Sequence, residues 1–292
     1  MTVNQVLMPY ITTTTSTTTS TSADHWSAAS SNHIAKSTTQ YPVPQCLVFL
    51  HIPKVGGRSV GTFLRQVAEA AGLEKQSIYH EKNPYDISAD KTFTIGHFTT
   101  ALFDLNPKLK QCYTMTVLRE PVDRAMSAFF FHKHNHERDI DKCLSDNTEK
   151  KVRMRCRLWW QYSNDITRRL AGLDDTSWNT WLNKRSYSSI PNQTHLEKAK
   201  ENLVNNFDAV CYLQDLPLCA DKILKAFHLD DSTLHDIDTS MLKLNKNNAY
   251  KTKKRPEKID AKRLKQFTKL NALDQDLYAW SLSMSFNETK GV

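Results

Sequence analysis

The residues that invite a chemical reading cluster in Leu50–Ser59, LHIPKVGGRS. An apolar run, Gln45–Ile52 (QCLVFLHI), ends there. A turn with a lysine and two glycines follows, and helical spacing of Val60, Phe63, Leu64 and Val67 begins in Ser59–Ala71. A strand–turn–helix joint gathers unpaired backbone N–H groups at the positive end of a helix dipole, a ready site for an anion. Gly56 and Gly57 let the backbone approach that anion, Lys54 adds a point charge, and Ser59 caps the helix or donates to an anionic oxygen. The chain has only 7 glycines, and Gly56, Gly57 and Gly61 stand together. The plain alternative is an ordinary joint with an exposed lysine. The pattern is not a Walker loop, where lysine follows the last glycine, nor the G-x-G-x-x-G of dinucleotide folds, because Lys54 precedes both glycines.

A second cluster, VLREPVDRAMSAFFF, runs from Val117 to Phe131. Arg119 leaves a strand-like run, and Ser127 follows on a helix opened by Pro121, a residue suited to a first turn. An arginine fork and a hydroxyl can converge on one phosphate from these two elements. Glu120 places negative charge at the helix start, where the dipole favours it. Arg124 is expected as an exposed helix residue, and Phe129, Phe130 and Phe131 as core. For proton transfer, His97 in IGHF closes a strand beside a glycine, and imidazole titrates near neutrality. The alternative for His97 is a ring satisfied by a backbone carbonyl. His51 beside the lysine turn is the second candidate base, and Glu81 a third. His132, His134 and His136 read as a solvated helix end rather than a metal site.

Strands and helices alternate around these clusters. Gln45–Ile52, Lys91–Phe98, Gln111–Leu118 and Phe207–Leu213 are of strand length, and the runs after Ser59, Pro121 and Leu216 are helical. Residues 155–205 read as mostly helical with breaks at Gly172 and Pro191, and Asp260–Ser283 as a further helical stretch. The expected fold class is α/β: a P-loop-type parallel β-sheet flanked by helices on both faces, with ligands at the C-terminal ends of the strands. Residues 1–40 are a Ser/Thr-rich tail, expected to be disordered, and 41–292 a single domain.

With 39 basic and 31 acidic residues among 292, the net charge is +8, modest for a nucleic-acid-binding module. No apolar run is long enough to span a membrane, and no secretory signal is read, which makes the cytoplasm the default compartment. Six cysteines lack C-x-x-C spacing. Cys46, Cys112 and Cys211 are expected as buried thiols, and Cys143 and Cys156 are the pair suspected of bridging. Lys251, Lys253, Lys254 and Arg255 form a basic run that is either a solvated loop or a contact for an anion.

HIPKVGGRS resembles the H-I-P-K-T-G-G-T-S signature of the Golgi-type carbohydrate sulfotransferase family, which includes heparan sulfate 2-O-sulfotransferase and bacterial relatives. Arg119 to Phe131 resembles the same family's R-D/E-P-x-x-R-x-x-S-x-[YF] element. Weaker likenesses continue in Ile166–Gly172 (ITRRLAG), Leu196–Gln214 and Leu270–Tyr278 (LNALDQDLY). The resemblance covers most of residues 45–285 and implies a sulfotransferase domain that uses 3′-phosphoadenosine-5′-phosphosulfate (PAPS). It implies that Lys54, Val55, Gly56, Gly57, Arg58 and Ser59 hold the 5′-phosphosulfate, that Arg119 and Ser127 hold the 3′-phosphate, and that a histidine in a G-H element serves as base. Val55 and Arg58 replace threonines of the commonest form, exchanging hydroxyl donors for an apolar group and a cation. The acceptor expected is a hydroxyl of a glycan or small metabolite. No metal is expected, because lysine and helix N–H groups can neutralise the leaving phosphate. The family's Golgi members make the Golgi lumen the alternative compartment. A P-loop kinase-like phosphotransferase and a basic nucleotide- or nucleic-acid-binding module are the competing readings, the first disfavoured by the position of Lys54.

Overall fold

The computed structural model describes residues 42–78, 87–131, 163–173, 190–229, 237–242 and 260–284. Five strands form one sheet: β1 (Cys46–Leu50), β2 (Glu74–Ile78), β3 (Thr92–Gly96), β4 (Tyr113–Leu118) and β5 (Ala209–Tyr212). Their order is β2-β3-β1-β4-β5, and every neighbouring pair is parallel. β1 lies inside the sheet and is buried at every position, which is why its sequence is an unbroken apolar run rather than an alternating one.

Helices α1 (Gly57–Ala70), α2 (Ala101–Leu105), α3 (Pro121–Phe131), α4 (Asp165–Leu170), α5 (Gln193–Asn206), α6 (Leu216–Ala226), α7 (Ala261–Leu270) and α8 (Ala272–Ser283) flank the sheet. α1 buries the expected stripe of Val60, Phe63, Leu64 and Val67. It stops at Gly72, whose φ of 67° and N–H bond to Glu69 O close the last turn. The four expected strands are present, each slightly shorter than its apolar run. β2 (EKQSI) was not expected. It is an edge strand with one neighbour, so half its pairing surface meets solvent and it needs no apolar run.

The C-terminal helical stretch is two helices rather than one. Buried Asn271 ends α7, donating its Nδ2 to Phe267 O at 2.9 Å while its Oδ1 accepts from Asn164 N at 3.2 Å. The cysteine expectation also changes. Cys46 and Cys112 form a disulfide, as do Cys211 and Cys219, so Cys46, Cys112 and Cys211 are not free thiols. The parallel register pairs Leu47 with Tyr113, which sets the preceding residues Cys46 and Cys112 side by side, with Cα atoms 4.7 Å apart. Their separation of 66 residues hides this in the sequence. Residues 1–40, Glu81, His132, His134, His136, Cys143, Cys156 and the run 251–255 lie outside the described residues. No described helix is long and apolar enough to cross a membrane.

Chain direction creates the crevice. From β1 the chain passes to β2 and β3 on one side, and from β3 it crosses to β4 on the other. The segments that follow β1 and β4 therefore part at the C-terminal edge of the sheet, where open α/β sheets bind ligands.

Candidate active site

The turn after β1 has a special backbone. Lys54 has φ of 72° and Gly56 φ of 82°, both left-handed. Gly56 is the N-cap of α1, and its carbonyl accepts from Val60 N at 3.2 Å. A Cβ on Gly56 would stand 2.6 Å from Leu213 Cδ1, so both space and φ call for glycine here. Of the two roles expected for Ser59, it does not fill that of helix cap. The helix starts at Gly57, which leaves Ser59 inside the first turn with its N–H among the unpaired donors. Val55 is fully buried and Arg58 exposed. Gly57 serves a neighbour as much as an anion: a Cβ there would overlap the imidazole of His51, which packs on the first turn of α1.

β4 delivers Arg119 to the same place. Its Nη1 donates to the Lys54 carbonyl at 3.2 Å, and its Nη2 lies 3.8 Å from Asp123. Two segments 65 residues apart thus touch. Glu120, expected only as a favourable charge at the helix start, accepts from Val122 N at 3.0 Å and Asp123 N at 2.6 Å, so it also caps α3. Ser127 is half-buried on that helix. Phe129 and Phe130 are core, but Phe131 is 52% exposed, with Lys54 Nζ 3.7 Å above its ring centroid. Burial, then the charges of Arg119 and Arg58, lower the Lys54 pKa from 10.5 to about 8.

His97 follows the end of β3, on the other side of β1. Pairing of β1 with β3 continues one residue past β1 through His51 N to Gly96 O at 2.9 Å. This brings the two imidazoles to 4.4 Å between centroids. His97 Nδ1 lies 2.6 Å from the His51 carbonyl oxygen. A carbonyl only accepts, so Nδ1 carries a proton and donates, and in the neutral ring Nε2 is the basic nitrogen. Burial, then His97, Arg169 and Lys54, depress the His51 pKa to about 3, so this ring stays neutral. A cavity of about 310 Å³ opens beside it, lined by His51, Gly57, Arg58, Thr62, Arg65 and Lys75 among others.

The sequence reading missed the charges behind the site. Arg124, expected at the surface, is fully buried, 3.3 Å from Asp165 and 3.8 Å from Asp274. Burial raises the Asp274 pKa, and Arg124 opposes it. Arg169 carried no signal beyond its place in ITRRLAG, and Asp165, one residue before that motif, carried none, because a polar α4 reads as a surface helix until its neighbours are known.

Parallel strands, a glycine-bearing turn at a helix start and flanking helices define a P-loop-type α/β protein, with cationic side chains at the strand ends. A family model described as "Sulfotransferase family" matches residues 44–281, and the chain belongs to this family. It is a PAPS-dependent sulfotransferase. No curated protein matches the chain. Among solved structures, it is similar to mouse sulfotransferase SULT7A1 complexed with PAP, at 15% identity and a TM-score of 0.41, over 83% of this chain and 90% of that one.

Proposed function

We propose that the protein transfers the sulfuryl group of PAPS to a hydroxyl of a carbohydrate or related acceptor, with His97 as base and Lys54 at the leaving phosphate. His97 Nε2 takes the proton of the acceptor hydroxyl. The acceptor oxygen bonds to sulfur as the bond from sulfur to the bridging oxygen breaks. Lys54 and the first N–H groups of α1 neutralise the charge left on the 5′-phosphate, and Arg119 with Ser127 holds the 3′-phosphate. One observation carries the reading. Three adjacent strands bring an imidazole that donates through Nδ1, a lysine and an arginine to one sheet edge, with Arg119 on the Lys54 carbonyl at 3.2 Å and His97 on the His51 carbonyl at 2.6 Å.

Two disulfides support the Golgi lumen over the cytoplasmic default, since such bonds persist in oxidising compartments. The functional test is a screen with labelled PAPS across a panel of glycans and small alcohols, paired with heat stabilisation by 3′-phosphoadenosine-5′-phosphate (PAP) without added metal. His97→Ala lowers turnover on the order of 10²–10⁴-fold while PAP affinity stays. Lys54→Ala abolishes transfer, and Arg119→Ala weakens PAP binding. Stabilisation by ATP with magnesium alone, or full turnover in His97→Ala, refutes this assignment.

A further inference from the structure

The two motifs that the transfer chemistry leaves unused, ITRRLAG and LNALDQDLY, meet behind the site. Asp274 caps α4, accepting from Ile166 N at 3.1 Å and Thr167 N at 2.7 Å. Asn164 Oδ1 answers by accepting from Asp274 N at 3.2 Å. Arg124 reaches from α3 to Asp165 and Asp274. Asp165 in turn forms an ion pair with Arg169, 3.2 Å from its Nε, and Arg169 Nη1 donates to the His97 carbonyl at 3.1 Å. These four charged side chains are essentially inaccessible to water. The backbone follows the same line: Thr100 donates its N–H to Arg169 O at 3.0 Å and its hydroxyl to Leu170 O at 2.8 Å. An unbroken series of buried polar contacts therefore runs from the C-terminal helix to the end of β3.

We propose that Arg169 is a positioning residue for sulfuryl transfer. Its guanidinium, ion-paired with Asp165, donates through Nη1 to the carbonyl of His97, so that the imidazole keeps Nδ1 on the His51 carbonyl and aims Nε2 at the acceptor proton. The planar fork donates to the His97 carbonyl through Nη1 while its charge stays paired with Asp165, 3.2 Å from Nε, whereas a lysine ammonium has no such extended geometry. Two fixed points on His97, ring and carbonyl, confine the residue more tightly than either alone. Confinement of this kind matters because a displacement of about 1 Å at a reacting group can cost on the order of 10²-fold in rate. The proposal rests on His97 being the base.

The test uses the full chain, with Arg169→Lys and Arg169→Gln beside His97→Ala. Calorimetry with PAP, nitrogen-15 spectra of the His97 ring and turnover of labelled PAPS on whichever panel member accepts sulfate are the readouts. Both Arg169 variants keep PAP affinity, since Lys54 and Arg119 are untouched. Their turnover falls roughly 10- to 100-fold, and the His97 spectrum moves from a single Nδ1–H tautomer to a mixture. A merely structural arginine would not move the tautomer in a folded, PAP-binding protein. Wild-type turnover and spectrum in Arg169→Lys, with His97→Ala inactive, overturn the Arg169 proposal alone. Full activity in His97→Ala overturns the reading of the base, and this proposal with it. Should neither Arg169 variant fold, the wild-type protein still decides: a scalar coupling between an Arg169 guanidinium nitrogen and the His97 carbonyl carbon supports the clamp, and freely exchanging guanidinium protons refute it.

Discussion

With Lys54 at the 5′-phosphate, as proposed, nucleotide binding becomes a proton-linked event. In the free protein, burial and the charges of Arg119 and Arg58 hold its pKa at about 8 rather than 10.5. A bound phosphate group brings opposite charge and restores the higher value. PAP binding above neutrality must then take up a proton, about 0.1 at pH 7, 0.5 at pH 8 and 0.9 at pH 9 for a free pKa of about 8. PAP affinity therefore falls roughly tenfold per pH unit above pH 8, until the pKa of the bound state is reached. The free protein shows the opposite trend. A lysine whose folded pKa is depressed destabilises the fold while charged, so stability rises with pH between about 8 and 10.5. Lys54 is only half-buried, so solvent screening reduces the full linkage to about 1–2 kcal/mol. Calorimetry in buffers of different ionisation enthalpy counts the protons, and denaturant titrations of the free protein read the stability. Lys54→Arg keeps a permanent charge and abolishes both slopes. Zero proton uptake across this range in the wild type, or an unchanged slope in Lys54→Arg, would refute the reasoning.

Other outcomes follow from packing. Gly57→Ala pushes the His51 ring off α1 and costs about 1–3 kcal/mol in denaturant unfolding, despite alanine's better helix propensity. Asp274→Ala leaves Arg124 buried with one partner fewer and removes the α4 cap, lowering stability by about 3–5 kcal/mol in thermal unfolding. Cys46→Ser with Cys112→Ser opens a loop of 66 residues and costs about 2–4 kcal/mol, read by the same denaturant titration against the oxidised wild type.

Much of this architecture is legible from the chain alone. QCLVFLHI reads as a strand buried on both faces, and the glycine-bearing turn and the apolar stripe after it read as a turn leading into an amphipathic helix, all of which the fold contains. Such signals are local: periodicity, φ-permissive glycines and a proline at a helix start act within a few residues. What needed the folded chain is non-local. Strand order β3-β1-β4 sets His97, Lys54 and Arg119 side by side, the register pairs Cys46 with Cys112, and Arg124, Asp165, Arg169 and Asp274 become a buried network rather than four surface charges. A charged residue looks the same in sequence whether water or another charge will solvate it. Only the packing of α3, α4 and α8 removes the water and makes the partners obligatory.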